Sequence, residues 1–271
     1  MASSIRLFRG AFGHVSVLNV ASSLVTHAHA EAHIILWLEG SAGEMTIGGE
    51  TVRLAGDMAA GIDSLEPHSH AFSPDGTPGR FLAFYIDPDW ARRRRALARG
   101  VPLFAEPAIP LDPWLHRAAL DLYHRLEDDD GFGEIAAYEI ERLIDSLLDA
   151  APTSPRRRGP AIRDFRVRKA IELMKANVCE RICFDAVARA VGLSRPHFFA
   201  LFKEQTGLTP NVYWNTLRME EALRQLQGSE EPLISVAGNL GFTTQGNFTR
   251  FFRDHAGVPP TLYREAARAT V

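Results

Sequence analysis

Residues 184–213 read FDAVARAVGLSRPHFFALFKEQTGLTPNVY, and residues 233–263 read LISVAGNLGFTTQGNFTRFFRDHAGVPPTLY. Val187-Ala188, Gly192, Phe198, Leu201-Phe202-Lys203, Gly207, Pro210 and Tyr213 of the first recur in order as Val236-Ala237, Gly241, Phe248, Phe251-Phe252-Arg253, Gly257, Pro260 and Tyr263 of the second. The offset is 49 residues before the phenylalanine and 50 from it onward, so one inserted residue at the turn separates two copies of one supersecondary unit. Internal duplication of this kind fixes the architecture of the whole segment.

Each copy predicts a helix, a tight turn and a second helix. Phe184, Val187, Ala188 and Val191 fall at i, i+3, i+4 and i+7, as do Leu233, Val236, Ala237 and Leu240, which makes one apolar stripe per first helix. Gly192 and Gly241 follow where a left-handed residue ends such a helix. Ser194 in one copy and Thr243-Thr244 in the other supply the oxygen that caps the next one. Phe198, Leu201 and Phe202, and then Phe248, Phe251 and Phe252, form the buried faces. A short helix, a glycine turn and a polar-faced second helix is the arrangement that lays its second helix in a DNA major groove. Residues 211–227 join the copies as a helix, with Val212, Met219, Leu223 and Leu226 on one face. Its 17 residues span roughly 25 Å, which the widths of the flanking helices extend towards one turn of DNA.

The joining run RMEEALRQL and the stretch GFTTQGNFTRFFRDHAGVPPTLYR bring residues 163–267 to a family resemblance. This segment resembles the DNA-binding domain of AraC-type transcriptional regulators, through Gly241-Phe242, Phe248-Thr249-Arg250 and Pro260-Thr261-Leu262-Tyr263-Arg264 above all. The resemblance implies double-stranded DNA as partner, RNA polymerase as a further one, a homodimer and a cytoplasmic setting. Its DNA-contacting positions fall here on Ser194, Arg195, His197, Phe199 and Lys203 in the first copy and on Thr244, Gln245, Asn247, Thr249 and Arg250 in the second. The family often places a base-reading Arg or Gln where this chain has Phe199 and Ala200. Apolar contact with thymine methyls is then the readout open to the first helix, and hydrogen bonding to base edges falls to the second.

Charge supports the same division. The net charge of −3 conceals 12 Lys/Arg against 22 Asp/Glu in residues 1–155, and 18 against 11 in residues 156–271. A basic C-terminal part suits phosphate contact, and the acidic remainder argues against DNA packaging along the whole chain. The sequence contains no 18-residue apolar run and no signal peptide is read in MASSIRLFRG, so no membrane partner is expected. Cys179 and Cys183 read as ordinary reduced thiols, too few for a disulfide framework or a zinc site.

Residues 1–110 predict many short strands: Val15 and Val17, the buried run Ile34 to Leu38, a hairpin of Met45-Thr46-Ile47 and Thr51 to Leu54 about Gly48-Gly49, and Arg80 to Ile86. Such spacing favours a jelly roll or sandwich. His27, His29, His33, Gly40, Gly56-Asp57 and Pro67-His68 resemble the cupin motifs, with His33 standing where a cupin usually has Glu or Gln. AraC-type regulators commonly carry such a barrel for a small-molecule effector, so His27, His29, His33 and His68 are the candidate effector site. The odd parity of 27, 29 and 33 points them to one strand face. Buried imidazoles require a partner. A divalent metal of the Zn, Fe, Ni or Mn type and a polar effector both fit that need, as does simple packing; His70 could replace His68.

Asp87-Pro88 starts a helix whose four arginines, Arg92 to Arg95, read as a solvated face. Asp112-Pro113 starts another, buried through Leu115, Ala119, Leu122 and Leu126. Ile140, Leu143, Ile144, Leu147 and Leu148 mark its neighbour. This pair serves either a dimer contact or a cover for the barrel. Residues 151–162 are a Pro/Arg-rich linker that includes Arg156 to Arg158, and Val167, Ala170, Ile171, Met174 and Val178 open the next domain. The expected fold is therefore α+β in two domains. A cupin-like barrel (1–110) with a helical pair (111–150) precedes the all-α double helix-turn-helix (163–271). The expected function is ligand-responsive, sequence-specific DNA binding without catalysis. The alternative is a metal-dependent cupin enzyme fused to a DNA-binding module.

Overall fold

The computed structural model describes residues 4–21, 23–72, 77–98, 101–128, 134–152 and 162–268. Its N-terminal part is built from β1 (Ser4–Gly10), β2 (Gly13–Val20), β3 (Leu24–His27), β4 (Ala32–Gly40), β5 (Gly43–Ile47), β6 (Glu50–Arg53), β7 (Met58–Ile62), β8 (His68–Phe72) and β9 (Gly79–Ile86), followed by helix α1 (Pro88–Arg95) and strand β10 (Ala108–Pro110). A six-stranded sheet in the order β1-β2-β9-β4-β7-β10 faces a four-stranded sheet in the order β3-β8-β5-β6. No ladder joins the two sheets among the described residues, so the expected barrel is an open two-sheet sandwich. Closure requires every edge strand to be paired. Here the edges β3 and β6 are four residues long, and β10 is three residues ending in Pro110, which has no N–H to donate.

The hairpin between β5 and β6 turns on Gly48 and Gly49, both at positive φ (58° and 97°), with Ile47 opposite Glu50. This two-residue primed turn matches the strand twist. β4 is buried on both sides. Ala32, Ile34, Leu36 and Leu38 enter one core, whereas Ile35 and Trp37 face the sandwich interior. That explains the uninterrupted apolar run.

Helices α2 (Pro113–Asp128) and α3 (Glu134–Ala150) pack Leu115, Ala119, Leu122, Ile140, Ile144 and Leu147 on that outer face of β4, beside Phe84 and Ile86 of β9. Of the two roles open to the helical pair, covering the sheet is the one their buried faces perform. Asp87 caps α1 by accepting from the Trp90 amide at 2.6 Å, and Asp112 does the same for Leu115 at 2.7 Å. The arginine run is not the freely solvated face expected. Arg94 grips Asp145 at 2.7 Å and Glu141 at 3.0 Å, and Arg95 pairs with Asp149, because α3 turns an acidic edge toward α1.

The C-terminal domain contains α4 (Phe165–Ala176), α5 (Phe184–Ala190), α6 (Arg195–Thr206), α7 (Pro210–Gly228), α8 (Leu233–Asn239), α9 (Gln245–Ala256) and α10 (Pro260–Arg268). Gly192 and Gly241 occupy the turns at φ +75° and +71°, as the repeat demands. The joining helix α7 has 19 residues, about 28 Å of rise. Phe198 and Phe202 of α6 close a core with Val167, Ala170 and Met174 of α4. The core around Phe248 and Phe252 of α9 is instead continuous with Leu7, Val20, Met45 and Phe81 of the sandwich. Arg156 to Arg158 and most of the expected linker lie outside the described residues.

Candidate nucleic-acid interface and histidine pocket

α6 and α9 present different surfaces. On α6, Arg195, Pro196, His197, Ala200 and Lys203 are exposed. Ser194 occupies the N-cap position with extended backbone, yet its side chain makes no cap hydrogen bond. Phe199 is half-buried, edge-on to Phe184 at 5.5 Å, so it belongs partly to the hairpin core. Arg195 lies over the Phe199 ring at 5.4 Å and pairs with Asp185 at 3.4 Å.

On α9, Thr244 caps the helix by accepting from the Asn247 amide at 3.1 Å, and Asn247 donates its side-chain amide to Thr243 at 3.0 Å. Gln245, Asn247, Arg250 and Arg253 are exposed, and Thr249 is half-buried. Among the described residues Arg250 makes no ion pair, which leaves its guanidinium available to a partner. Arg218 of α7 fixes the turn that presents this helix. It donates to the Leu240 carbonyl at 2.9 and 3.2 Å, with its guanidinium 3.7 Å from the centre of the Phe242 ring. Burial lowers its pKa to about 10, still charged at neutral pH.

The histidines converge between the two sheets. His27 ends β3 and pairs in register with His68 of β8; their ring centroids are 4.3 Å apart. His29 lies in the loop after β3, 4.8 Å from His27 and 4.6 Å from His33 of β4. The parity argument assumed one strand, whereas β3 stops at His27 and β4 starts at Ala32. The rings meet because a strand end, a loop and two facing sheets deliver them. His27, His29 and His68 bring donor atoms within 4.8 Å of one another. His70 lines the same cavity but stacks on Phe72 at 4.0 Å, and it stands outside that trio.

All five rings are buried. Desolvation first, and then repulsion by neighbouring imidazoles, pushes His27, His29 and His33 far below the ordinary histidine value; burial takes His68 and His70 down to about 4. Neutral imidazoles present lone pairs. Neither nitrogen of His33 finds a hydrogen-bond partner among the described residues.

The matching family, described as a helix-turn-helix domain, covers residues 187–266. YobQ of Bacillus subtilis, an HTH-type transcriptional regulator, is 36% identical over 248 residues, 88% of either chain. The chain belongs to the AraC-type transcriptional regulators. This AraC-type chain is also similar to RhaS of Escherichia fergusonii, an HTH-type transcriptional activator, at 24% identity over 90% of this chain and 88% of that one. Its fold is that of ToxT from Vibrio cholerae, with a TM-score of 0.55 at 12% identity over 92% of this chain and 93% of that one.

One ring of the AraC-type chain's pocket was not foreseen. His255, in the last turn of α9, lines the cavity with Ala256 and Gly257, 6.0 Å from His27, and like His70 it stands outside the close donor trio. The Thr216 hydroxyl of α7 lies 3.1 Å from the Ala28 carbonyl and 3.1 Å from the Val212 carbonyl of its own helix, so its one proton is shared between them and links α7 to the loop between His27 and His29. Both residues belong to the DNA-binding domain. Nothing in their local spacing separates them from ordinary helix positions, since their partners lie near the other end of the chain.

Proposed function

We propose that this AraC-type chain is a ligand-responsive, sequence-specific regulator whose ligand binds in the histidine pocket formed by His27, His29, His33 and His68. The carrying observation is that the DNA-binding domain meets the pocket and its loop at two points. Thr216 of the joining helix holds its loop, and the end of α9 closes its mouth. A ligand that fits the closed arrangement better than an open one shifts the equilibrium between them. DNA contact falls on Ser194, Arg195, His197, Phe199 and Lys203 of the first copy and on Thr244, Gln245, Asn247, Thr249 and Arg250 of the second.

Binding without catalysis is the reading the cavity supports. Its volume of about 40 Å³ admits an ion with its water, far less than the several hundred that an organic substrate occupies. An organic effector finds space instead in a cleft of about 840 Å³ between the domains, where Leu65, Val101, Ile171 and Leu208 lie beside Arg92, Lys175 and Lys203. The ToxT structure above holds an unsaturated fatty acid, and an apolar anion suits this cleft as well. Exposed Ile135 and Tyr138 near the start of α3, at 76% and 63%, and Trp114 near the start of α2, at 60%, support a homodimer through the helical pair. The likeness to named activators supports RNA polymerase as a partner and a cytoplasmic place of action; no helix among the described residues is long and apolar enough to cross a membrane.

Genome-wide footprinting with and without the protein tests this reading. Protected pairs of half-sites about one helical turn apart are expected, upstream of a limited gene set. Protection spread evenly over the genome would remove it.

A further inference from the structure

Three imidazoles at this pocket share one hydrogen-bonding arrangement. His27 Nδ1 meets the Val25 carbonyl at 2.6 Å, His68 Nδ1 meets the Glu66 carbonyl at 2.9 Å, and His255 Nδ1 meets the Phe251 carbonyl at 2.7 Å. A carbonyl oxygen only accepts, so each Nδ1 carries the proton and each Nε2 keeps its lone pair. Metal-bound histidines are held in this way, the far nitrogen donating to a backbone carbonyl that fixes tautomer and ring orientation. A pocket that is merely packed has no reason to select the same tautomer three times.

Two of these rings come from the sandwich. The third belongs to the helix that reads DNA. His255 Nε2 is buried and has no hydrogen-bond partner among the described residues, a costly state for a polar atom. Its neighbours Ala256 and Gly257 line the same cavity, and a Cβ at Gly257 would touch Leu24 and Val20 at 3.4 Å. The end of α9 therefore sits directly against the sandwich. No carboxylate lines the cavity to accept from a charged imidazole. A hard cation such as Mg²⁺ or Ca²⁺ finds no carboxylate there and only the neutral phenol of Tyr85, whereas borderline transition metals take imidazole readily.

We infer that His255 is the DNA-binding domain's own ligand to a divalent transition-metal ion held on His27, His29 and His68, so that the ion is bound by both domains at once and fixes α9 against the sandwich. This rests on the histidine pocket being the ligand site, and it names both the ligand class and the route of regulation. An ion bridging two domains stabilises their docked arrangement, and by reciprocity the docked arrangement tightens the ion. The unequal copies of the repeat give the device its handle. The position equivalent to His255 in the first copy is Gln205, which accepts from the amides of Arg163 and Asp164 at 2.8 and 3.1 Å and so stays within its own domain.

The test is a Co²⁺ titration of the full chain after EDTA treatment. It is followed by visible absorption and by hydrogen exchange over residues 245–257, in wild type, His29→Ala and His255→Gln. One Co²⁺ per chain is expected, with binding in each variant weakened by at least about 10- to 100-fold, the cost of losing even an outer partner of a ligand. Exchange in α9 should slow on Co²⁺ addition to wild type and stay unchanged in His255→Gln. Absence of stoichiometric Co²⁺ and Zn²⁺ binding by the wild type would overturn the metal, and equal affinity in His255→Gln would overturn the bridging role. Should His255→Gln unfold in EDTA, the nitrogen splitting of Cu²⁺-loaded His33→Ala decides, because His33 is the other ring able to supply a fourth nitrogen. Four imidazoles in that variant support the inference and three contradict it. Sequence-specific DNA binding by the EDTA-treated chain is measured in parallel. If it persists unaltered by metal, the regulator reading stands and this inference falls; if no specific binding exists, the regulator reading itself fails.

Discussion

The two helix-turn-helix copies began as one sequence and have diverged in what their ends do. In the first, Ser194 leaves its helix without a side-chain cap bond, Arg195 is occupied by Asp185 and the Phe199 ring, and Gln205 holds the start of α4. In the second, Thr244 caps its helix, Arg250 makes no ion pair among the described residues, and His255 lines the histidine pocket. The first copy builds its core mainly with α4 and takes in only Ala28 from the N-terminal part, whereas the second shares its core with many residues of the sandwich. Duplication supplied two similar frames. One packs its phenylalanines mainly within the helical domain, and the other packs them against the sandwich and places His255 at the histidine pocket.

The turn glycines give the largest expected contrast. Both hold a left-handed backbone, which costs an alanine about 1–2 kcal/mol. A Cβ at Gly192 would meet open space, while one at Gly241 would come within 3.0 Å of the Glu180 backbone. Gly192→Ala should therefore lose about 1–2 kcal/mol of stability, and Gly241→Ala about 2–3 kcal/mol. Chemical denaturation checks this. Equal losses would show that the turns are interchangeable.

The joining helix carries the next effect. Burial, with Glu31 nearby, raises the Glu220 carboxyl to about 6. Folding then favours the protonated form, so the contribution of Glu220 to stability is highest below pH 4.5, declines as pH rises through about 6, and is flat above. The buried histidines act in the opposite sense, costing stability as pH falls. The Glu220 contribution is therefore read as the difference between wild type and Glu220→Gln, and the variant should be more stable at pH 7 by on the order of 1–2 kcal/mol. Melting temperatures of both proteins between pH 4 and 8 measure that difference, and a difference that does not change with pH would locate the penalty elsewhere.

Smallest is the cap difference. Thr244→Ala should cost about 1 kcal/mol through the lost bond to the Asn247 amide, and Ser194→Ala only a few tenths. A larger loss at Ser194 would mean that its oxygen caps α6 in solution after all.

The repeat was legible because it depends on local rules. Phe198 and Phe248 at matched positions, glycines at the turns and the apolar stripe of α7 each follow from helix periodicity or left-handed backbone. The strands and the Gly48-Gly49 turn were legible for the same reason. Sheet closure was not, since it depends on whether short edges such as β3 and β6 find partners across space. His27, His29, His33 and His68 do converge, but a strand end, a loop and two facing sheets bring them together rather than the single strand that the parity of 27, 29 and 33 assumed. The close trio contains His68 in place of His33. His255 escaped notice because its role is set by docking of two domains, which the spacing within α9 does not encode. The arginines of α1 were misread in a similar way, their acidic partners lying about 50 residues further on.

The most direct test of the division between the copies is selection of DNA sites from a random pool by the full chain, wild type against Arg250→Ala. One half-site should be sharply specified and the other broad and tolerant. Arg250→Ala should lose about 1–3 kcal/mol at the sharp half, consistent with a bidentate contact to guanine, and leave the broad half as it was. Two half-sites of equal information, unchanged by Arg250→Ala, would contradict the account.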